Sequence, residues 1–245
     1  MKRDILTVMW KEWKSFLRYS SNRWKGLVIL VTPTALFGIL LPIQFREGWL
    51  TSGWSVGVSI FTPLILIAST ISESFAGERE RHTLETLLAS RLPDRAILFG
   101  KLLTSIFFGW GMTLVLLLVS LIVVNAFAWE GSMKFYEPMI FWANISASLL
   151  VSGLVSSLGI LISLRSRTVQ NAAQTIMILL FMPFMLLQAL VFLLPTFLPR
   201  ELIEAFMDGI DMDMVLVGSL IFLMVVNVGL LFGAMSRFKR SKLIL

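Results

Sequence analysis

Residues 73–101 read ESFAGERERHTLETLLASRLPDRAILFGK, a dense run of charge caught between two hydrophobic stretches. Trp54 to Phe75 ahead of it and Phe99 to Ala128 behind it carry only Glu73 and Lys101 as charged residues. Inside the run, Leu84, Leu87 and Leu88 repeat at i, i+3, i+4 and make an apolar ridge on a helix. Glu78 with His82, and Arg81 with Glu85, stand at the i, i+4 spacing that supports a short helix in water. Pro93 ends that helix, and Asp94 is placed to cap a new one beginning at Arg95. A charge run of this kind is either a solvated connector or a contact for a soluble partner. The ridge and the defined stop favour docking.

The flanking stretches set the class. The chain has 245 residues, is 57% hydrophobic and has a mean hydropathy of +0.84. Long apolar runs with almost no charge are what a bilayer solvent requires. Lys and Arg outnumber Asp and Glu by 21 to 15, and they sit beside the apolar runs. Anionic lipid headgroups are therefore the expected partner of that excess, and nucleic acid is not. There is no Cys and one His, His82. Thiolate chemistry, disulfides and a multi-His metal site are excluded, and no metal ligands or catalytic residues are proposed. The first apolar run starts at Gly26, so no cleavable signal peptide is expected.

At about 20 apolar residues per crossing, six spans are predicted. They are Gly26 to Phe45, Trp54 to Phe75, Phe99 to Ala128, Met139 to Leu164, Val169 to about Leu190, and Met214 to Ser236. Six crossings put both termini on one side. Of the 21 basic residues, all but Arg46, Lys134 and Arg200 fall on that side too. The positive-inside rule makes it cytoplasmic, together with the 73–101 segment. The expected organisation is one all-α membrane domain over residues 1–245. Residues 1–24 form a cytoplasmic amphipathic helix, 25–236 the six-span core and 237–245 a basic tail.

Residues 4–19 sort onto two helical faces. Ile5, Leu6, Met9, Trp13, Phe16 and Leu17 lie on one, and Thr7, Lys11, Lys14 and Arg18 on the other. Such a helix lies in the headgroup plane, as a plain anchor or as a shoulder for a partner. The apolar run from Val169 to Leu198 contains Pro183 and Pro195 and is too long for one simple span. A spanning helix followed by a short re-entrant or interfacial piece on the outer side is expected. PRELIEAFMDG, from Pro199 to Gly209, then reads as a short helix with Pro in its first turn and Gly at its stop.

ERERHTLETLLASRLPDRAILFGK resembles the cytoplasmic element of ABC-2 type permeases. In that family an acidic-basic cluster precedes a Thr-Leu-Glu-x-Leu-Leu run, a Pro turn and a Gly-Lys at the start of the third helix. Here these are Glu78 to Arg81, Thr83 to Leu88, Pro93, and Gly100 with Lys101. The commoner Gly before the Thr is His82 in this chain. SRFKRSKLIL at the C-terminus is similar to the ending of many such permeases. The resemblance implies a half-transporter that pairs with a second copy or a paralogue and binds two cassette ATPase subunits. It makes 73–101 the coupling helix, with Glu78, Arg79, Arg81, Thr83, Leu84, Glu85, Leu87 and Leu88 as docking residues. It also implies export across a prokaryotic plasma membrane. The substrate is not legible.

The pattern G-x-x-x-x-G-K-[ST] is missing, since Leu102 follows Gly100-Lys101. ATP and Mg are therefore expected on the partner, with no cofactor bound by this chain. The spans carry almost no ionisable groups, which argues against an ion-coupled carrier or channel. A membrane scaffold or assembly protein stays open on composition. Glu73, at the inner end of the second span, marks either a gate or the interface. Ser148, Ser152, Ser156, Gly159 and Ser163 line one side of the fourth span, for close helix packing or for a polar path. Asn144, Asn171, Gln174, Gln188 and Asn227 are candidates for interhelical bonds or substrate contacts.

Overall fold

The computed structural model describes residues 1–18, 31–129, 131–197 and 211–237, with positions 199, 202 and 209. Every regular element among them is helical. Helix α1 covers Lys2–Arg18, and α2 covers Val31–Phe45 with a π-helical stretch over Thr34–Leu40. A short α3 spans Gly48–Thr51. Helix α4 runs over Trp54–Glu80, with a second π stretch at Glu73–Gly77. The short α5 is Leu84–Ala89, and α6 is Asp94–Phe127. Helices α7, α8 and α9 are Pro138–Ser163, Val169–Phe197 and Met212–Arg237.

Five of these helices, α4 and α6 to α9, are long and apolar enough to cross a bilayer. They match the second to sixth expected spans. Of the first expected span, residues 26–30 lie outside the described residues, and Val31–Phe45 is a shorter apolar helix. Helix α6 has 34 residues. At about 1.5 Å per residue it is longer than a bilayer core of about 30 Å, so part of it stands outside the membrane.

The expected break after Leu190 is not there. Helix α8 continues to Phe197 with Pro183 and Pro195 inside it. Neighbouring groups can re-satisfy the backbone that a membrane proline frees, so a proline need not end a span. The expected helix from Pro199 to Gly209 lies largely outside the described residues, as does the tail beyond Arg237.

Helix α4 is the centre. Its Ile67, Ala68, Ile71 and Phe75 pack with Ile97, Leu98 and Leu102 of α6, Val151, Val155 and Ile160 of α7, and Ile176 of α8. Ser148, Ser152 and Ser156 of α7 are fully buried. A Cβ at Gly159 would overlap Cγ2 of Ile71. The small residues of α7 therefore let its neighbours approach closely, as such stripes usually do. Asn144 adds polar bonds to that contact. Its Oδ1 accepts from Ser59 Oγ at 2.7 Å, and its Nδ2 donates to Ser55 Oγ at 3.1 Å. Asn227 joins α9 to α7 by donating to the Leu150 carbonyl at 2.8 Å.

A smaller cluster of Trp49, Leu50 and Val124 closes the opposite end of the bundle from α5. There Asn125 bonds the Lys134 backbone in both directions, and Lys134 pairs with Glu47.

Candidate functional site

The charged segment between α4 and α6 begins inside a helix. The π stretch Glu73–Gly77 widens the last turns of α4 and disturbs the regular i→i−4 ladder. Ser163, the last residue of α7, repairs it. Its hydroxyl accepts from the N–H of Phe75 at 3.1 Å and of Ala76 at 2.9 Å, and donates to the Ser72 carbonyl at 3.0 Å.

Two charges after the π stretch hold the turn between α7 and α8. Arg79 donates to the carbonyl of Leu164 at 2.8 Å and to that of Ser166. A cation on the free carbonyls of a helix C-terminus satisfies them and opposes the helix dipole. Glu80 accepts from the N–H of Val169, the first residue of α8, at 3.1 Å. An anion at a helix N-terminus does the converse. Two adjacent residues of opposite sign thus match the two helix ends that meet at residues 164–169.

The helix expected across Glu78 to Leu88 is interrupted. His82 takes a left-handed φ of 57°, so α4 stops at Glu80 and α5 starts afresh at Leu84. The Glu78–His82 and Arg81–Glu85 spacings therefore do not stack on one helix. Arg81 folds back to Glu73 at 3.5 Å, and Glu78 turns to α1 and α6. The left-handed turn is also the reason a Gly suits this position, since an L side chain is disfavoured there.

Lys101 is the most buried charge of the cluster, at 1% exposure. Its Nζ donates to the Ser74 carbonyl at 2.5 Å. It lies 3.0 Å from Glu12 Oε1, an ion pair without a well-angled hydrogen bond, and 3.6 Å from Glu78 Oε1. The Phe75 ring faces it, with 5.1 Å to the centroid. Glu78 Oε1 also accepts from Lys11 Nζ at 2.6 Å, while Glu78 Oε2 accepts from the Thr83 hydroxyl. Burial alone would lower the Lys11 pKa. The carboxylates of Glu12 and Glu78 outweigh it and hold the ammonium above its ordinary 10.5. Lys11 therefore stays charged through the physiological range.

Helix α1 reaches this knot because Gly100 lets it. A Cβ at Gly100 would stand 2.6 Å from Val8 Cβ and 3.3 Å from the Ile5 carbonyl. The two-faced reading of α1 needs correction here. Val8 and Glu12 are buried against α6, while Leu6, Trp10 and Trp13 are exposed on a separate stripe and Lys11 and Lys14 on a third. One face packs on protein, the apolar stripe suits the bilayer interface, and the basic one faces water.

The leucine ridge also needs correction. Leu84 is 6% exposed and belongs to the chain's own core beside Ile97, Leu98 and Leu164, with Leu87 packed against that core. The Leu88 side chain is outside the described ones. A leucine ridge on a six-residue helix is more cheaply covered by its own bundle than left for a partner. Among the described side chains of α5, Glu85, Thr86 and Ala89 face outward, next to the exposed Arg81, His82 and Thr83. A cleft of about 480 Å³ opens beside it, lined among others by Glu73, Ser74, Thr86, Leu87 and Lys101. The remaining expected residues separate. Ser148, Ser152 and Ser156 are interior, whereas Asn171 and Gln174 are exposed near the start of α8.

Glu12, Glu80 and Ser163 escaped the sequence reading as site residues. Glu12 had a signal, as an acid between Lys11 and Lys14 in the middle of a mainly basic amphipathic helix. Ser163 had none beyond its place in a small-residue stripe.

A family model described as ABC-2 type transporter matches residues 3–199 of the chain. No curated protein matches it.

Proposed function

The chain belongs to the ABC-2 type transporter family, and from that premise we propose that it is the membrane half of a dimeric transporter worked by two cassette ATPase subunits. It is a membrane-embedded, multi-pass transport component and not itself a catalytic one. The proposal adds six spans in a single domain, both termini in the cytoplasm of a prokaryotic cell, and export across its plasma membrane. ATP and Mg are held by the partner. The second permease is another copy of this chain or a paralogue.

One observation carries the docking part of this reading. Helix α5 is short, exposes Glu85 and Thr86, and is braced from behind by Leu84 in the core. A six-residue helix has no stability of its own. Anchored this way, it passes a push on its outer face directly to α4 and α6. The docking surface therefore centres on Glu85 and Thr86 with Arg81 and Thr83 at its rim. Leu84 and Leu87 act as its internal anchor, Glu78 holds Thr83 at its start, and Arg79 holds the neighbouring turn between α7 and α8. Glu73, paired with Arg81, sits at the base of the cleft as a gate or interface group.

The test is co-purification of the tagged full chain from its native membranes. A cassette ATPase is expected with the wild type. E85K/T86K, which changes only exposed positions, should reduce its recovery about tenfold, the equivalent of about 1.4 kcal/mol, with unchanged thermal stability. Undiminished recovery would move the docking surface elsewhere. Transport driven by an ion gradient without any ATPase would remove the proposal altogether.

A further inference from the structure

We propose that Lys101 is the positioning residue of the docking helix, setting where α5 stands relative to α1 through the carboxylate of Glu78. This rests on the docking role given to α5 above.

The path is short, and each link is a direct contact. Lys101 is fixed on α6 and donates to the Ser74 carbonyl at 2.5 Å, so it is tied to the π stretch of α4. One oxygen of Glu78 faces Lys101 at 3.6 Å and Lys11 of α1 at 2.6 Å. The other oxygen accepts from the hydroxyl of Thr83, the residue immediately before α5. Glu12 of α1 approaches Lys101 from the opposite helix at 3.0 Å. One ammonium therefore joins α1, α4 and α6 to the first residue of the docking segment.

Stability alone does not account for such a cation. Replacing a buried ion pair as a unit by apolar groups is often neutral or stabilising, whereas removing one member strands the other. A buried pair can instead fix one arrangement of the elements it joins, and the arrangement proposed to be fixed here is that of α5. His82 breaks the helix that would have run straight through, so α5 takes its place from Leu84 and Leu87 in the core and from the bonds of Thr83 to Glu78 at its start.

The test uses the full chain in lipid nanodiscs. It has no native Cys, so T7C and A89C, both at exposed positions of α1 and α5, can carry spin labels without background. A narrow α1–α5 distance distribution is expected in this otherwise wild-type chain and in one also carrying K101R. K101M/E12M removes the buried pair as a unit and leaves Glu78 its bond to Lys11. It should broaden the distribution at least twofold while the thermal midpoint stays put. An unchanged distribution in K101M/E12M overturns the proposal, and so does broadening matched by K101R. If K101M/E12M does not fold, K101Q/E12Q removes both charges at nearly unchanged volume and should also broaden the distribution; a wild-type width there also overturns it. The distance readout needs no ATPase. Failure of the E85K/T86K experiment would therefore count against docking at α5 and leave this result standing.

Discussion

A methyl group at position 159 would overlap Cγ2 of Ile71 and come within 2.9 Å of its Cγ1 and 3.1 Å of its Cβ. These are the branch atoms of a side chain buried in the core, so no flexible tip can swing aside. G159A is expected to cost about 1–3 kcal/mol, the usual range for overpacking, read as a lower thermal midpoint in nanodiscs. Gly229 of α9 has nothing within 4 Å of its would-be Cβ, and G229A should be neutral or stabilising by up to about 1 kcal/mol. Equal effects at the two sites would mean that the contact of α7 with α4 is looser than it stands here. The small-residue spacing of α7 was visible in the sequence, but the identity of its neighbour was not. Spacing shows that a helix can be approached closely without showing which helix approaches. His82 is the opposite case. It stood out as a departure from a common Gly, and its φ of 57° supplies the physical reason.

At the scale of the element, the long spans were legible because the bilayer imposes length and charge rules that a single sequence displays. The ends of α6 and α7 fell within a few residues of expectation, at prolines 93 and 138. What was not legible was the π stretch of α4, since it depends on a hydroxyl supplied from α7, 88 positions away in the bond to Phe75. S163A tests this directly. It leaves the N–H groups of Phe75 and Ala76 without their acceptor in a buried place, at about 1–3 kcal/mol for an unsatisfied group. Faster hydrogen exchange at those two amides and a lower thermal midpoint are expected, and S163T should retain most of the effect of the hydroxyl. Wild-type exchange at 75–76 in S163A would show that the widened turn stands without help. The leucine ridge of α5 was misread for a related reason. Periodicity identified Leu84 and Leu87 as one face, but a period is the same whether the face is covered by a partner or by the chain's own core.

For the whole molecule, the interior of the bundle is settled by α4, α6 and α7, and the open question is what covers α8. Its exposed face carries Asn171, Gln174 and Thr175 in its first turns and Ile178, Met182 and Met185 further along. The interior amides, Asn144 and Asn227, have partners on neighbouring helices. Polar residues in membrane helices normally face other helices or a water-filled path rather than lipid. Within the dimer proposed above, the face of α8 is therefore expected to meet a second permease. The absence of native Cys makes a clean test, because a single I178C is the only residue that can form a disulfide. Oxidation in native membranes should give a band at twice the chain's mass, which is 27.6 kDa. F222C, exposed on α9, should remain monomeric. A cross-linked band at another mass would identify a paralogue as the partner, since I178C then bridges to a different chain. If I178C stays monomeric while F222C pairs, the two copies meet through α9, and Asn171 and Gln174 must find their partners in another way.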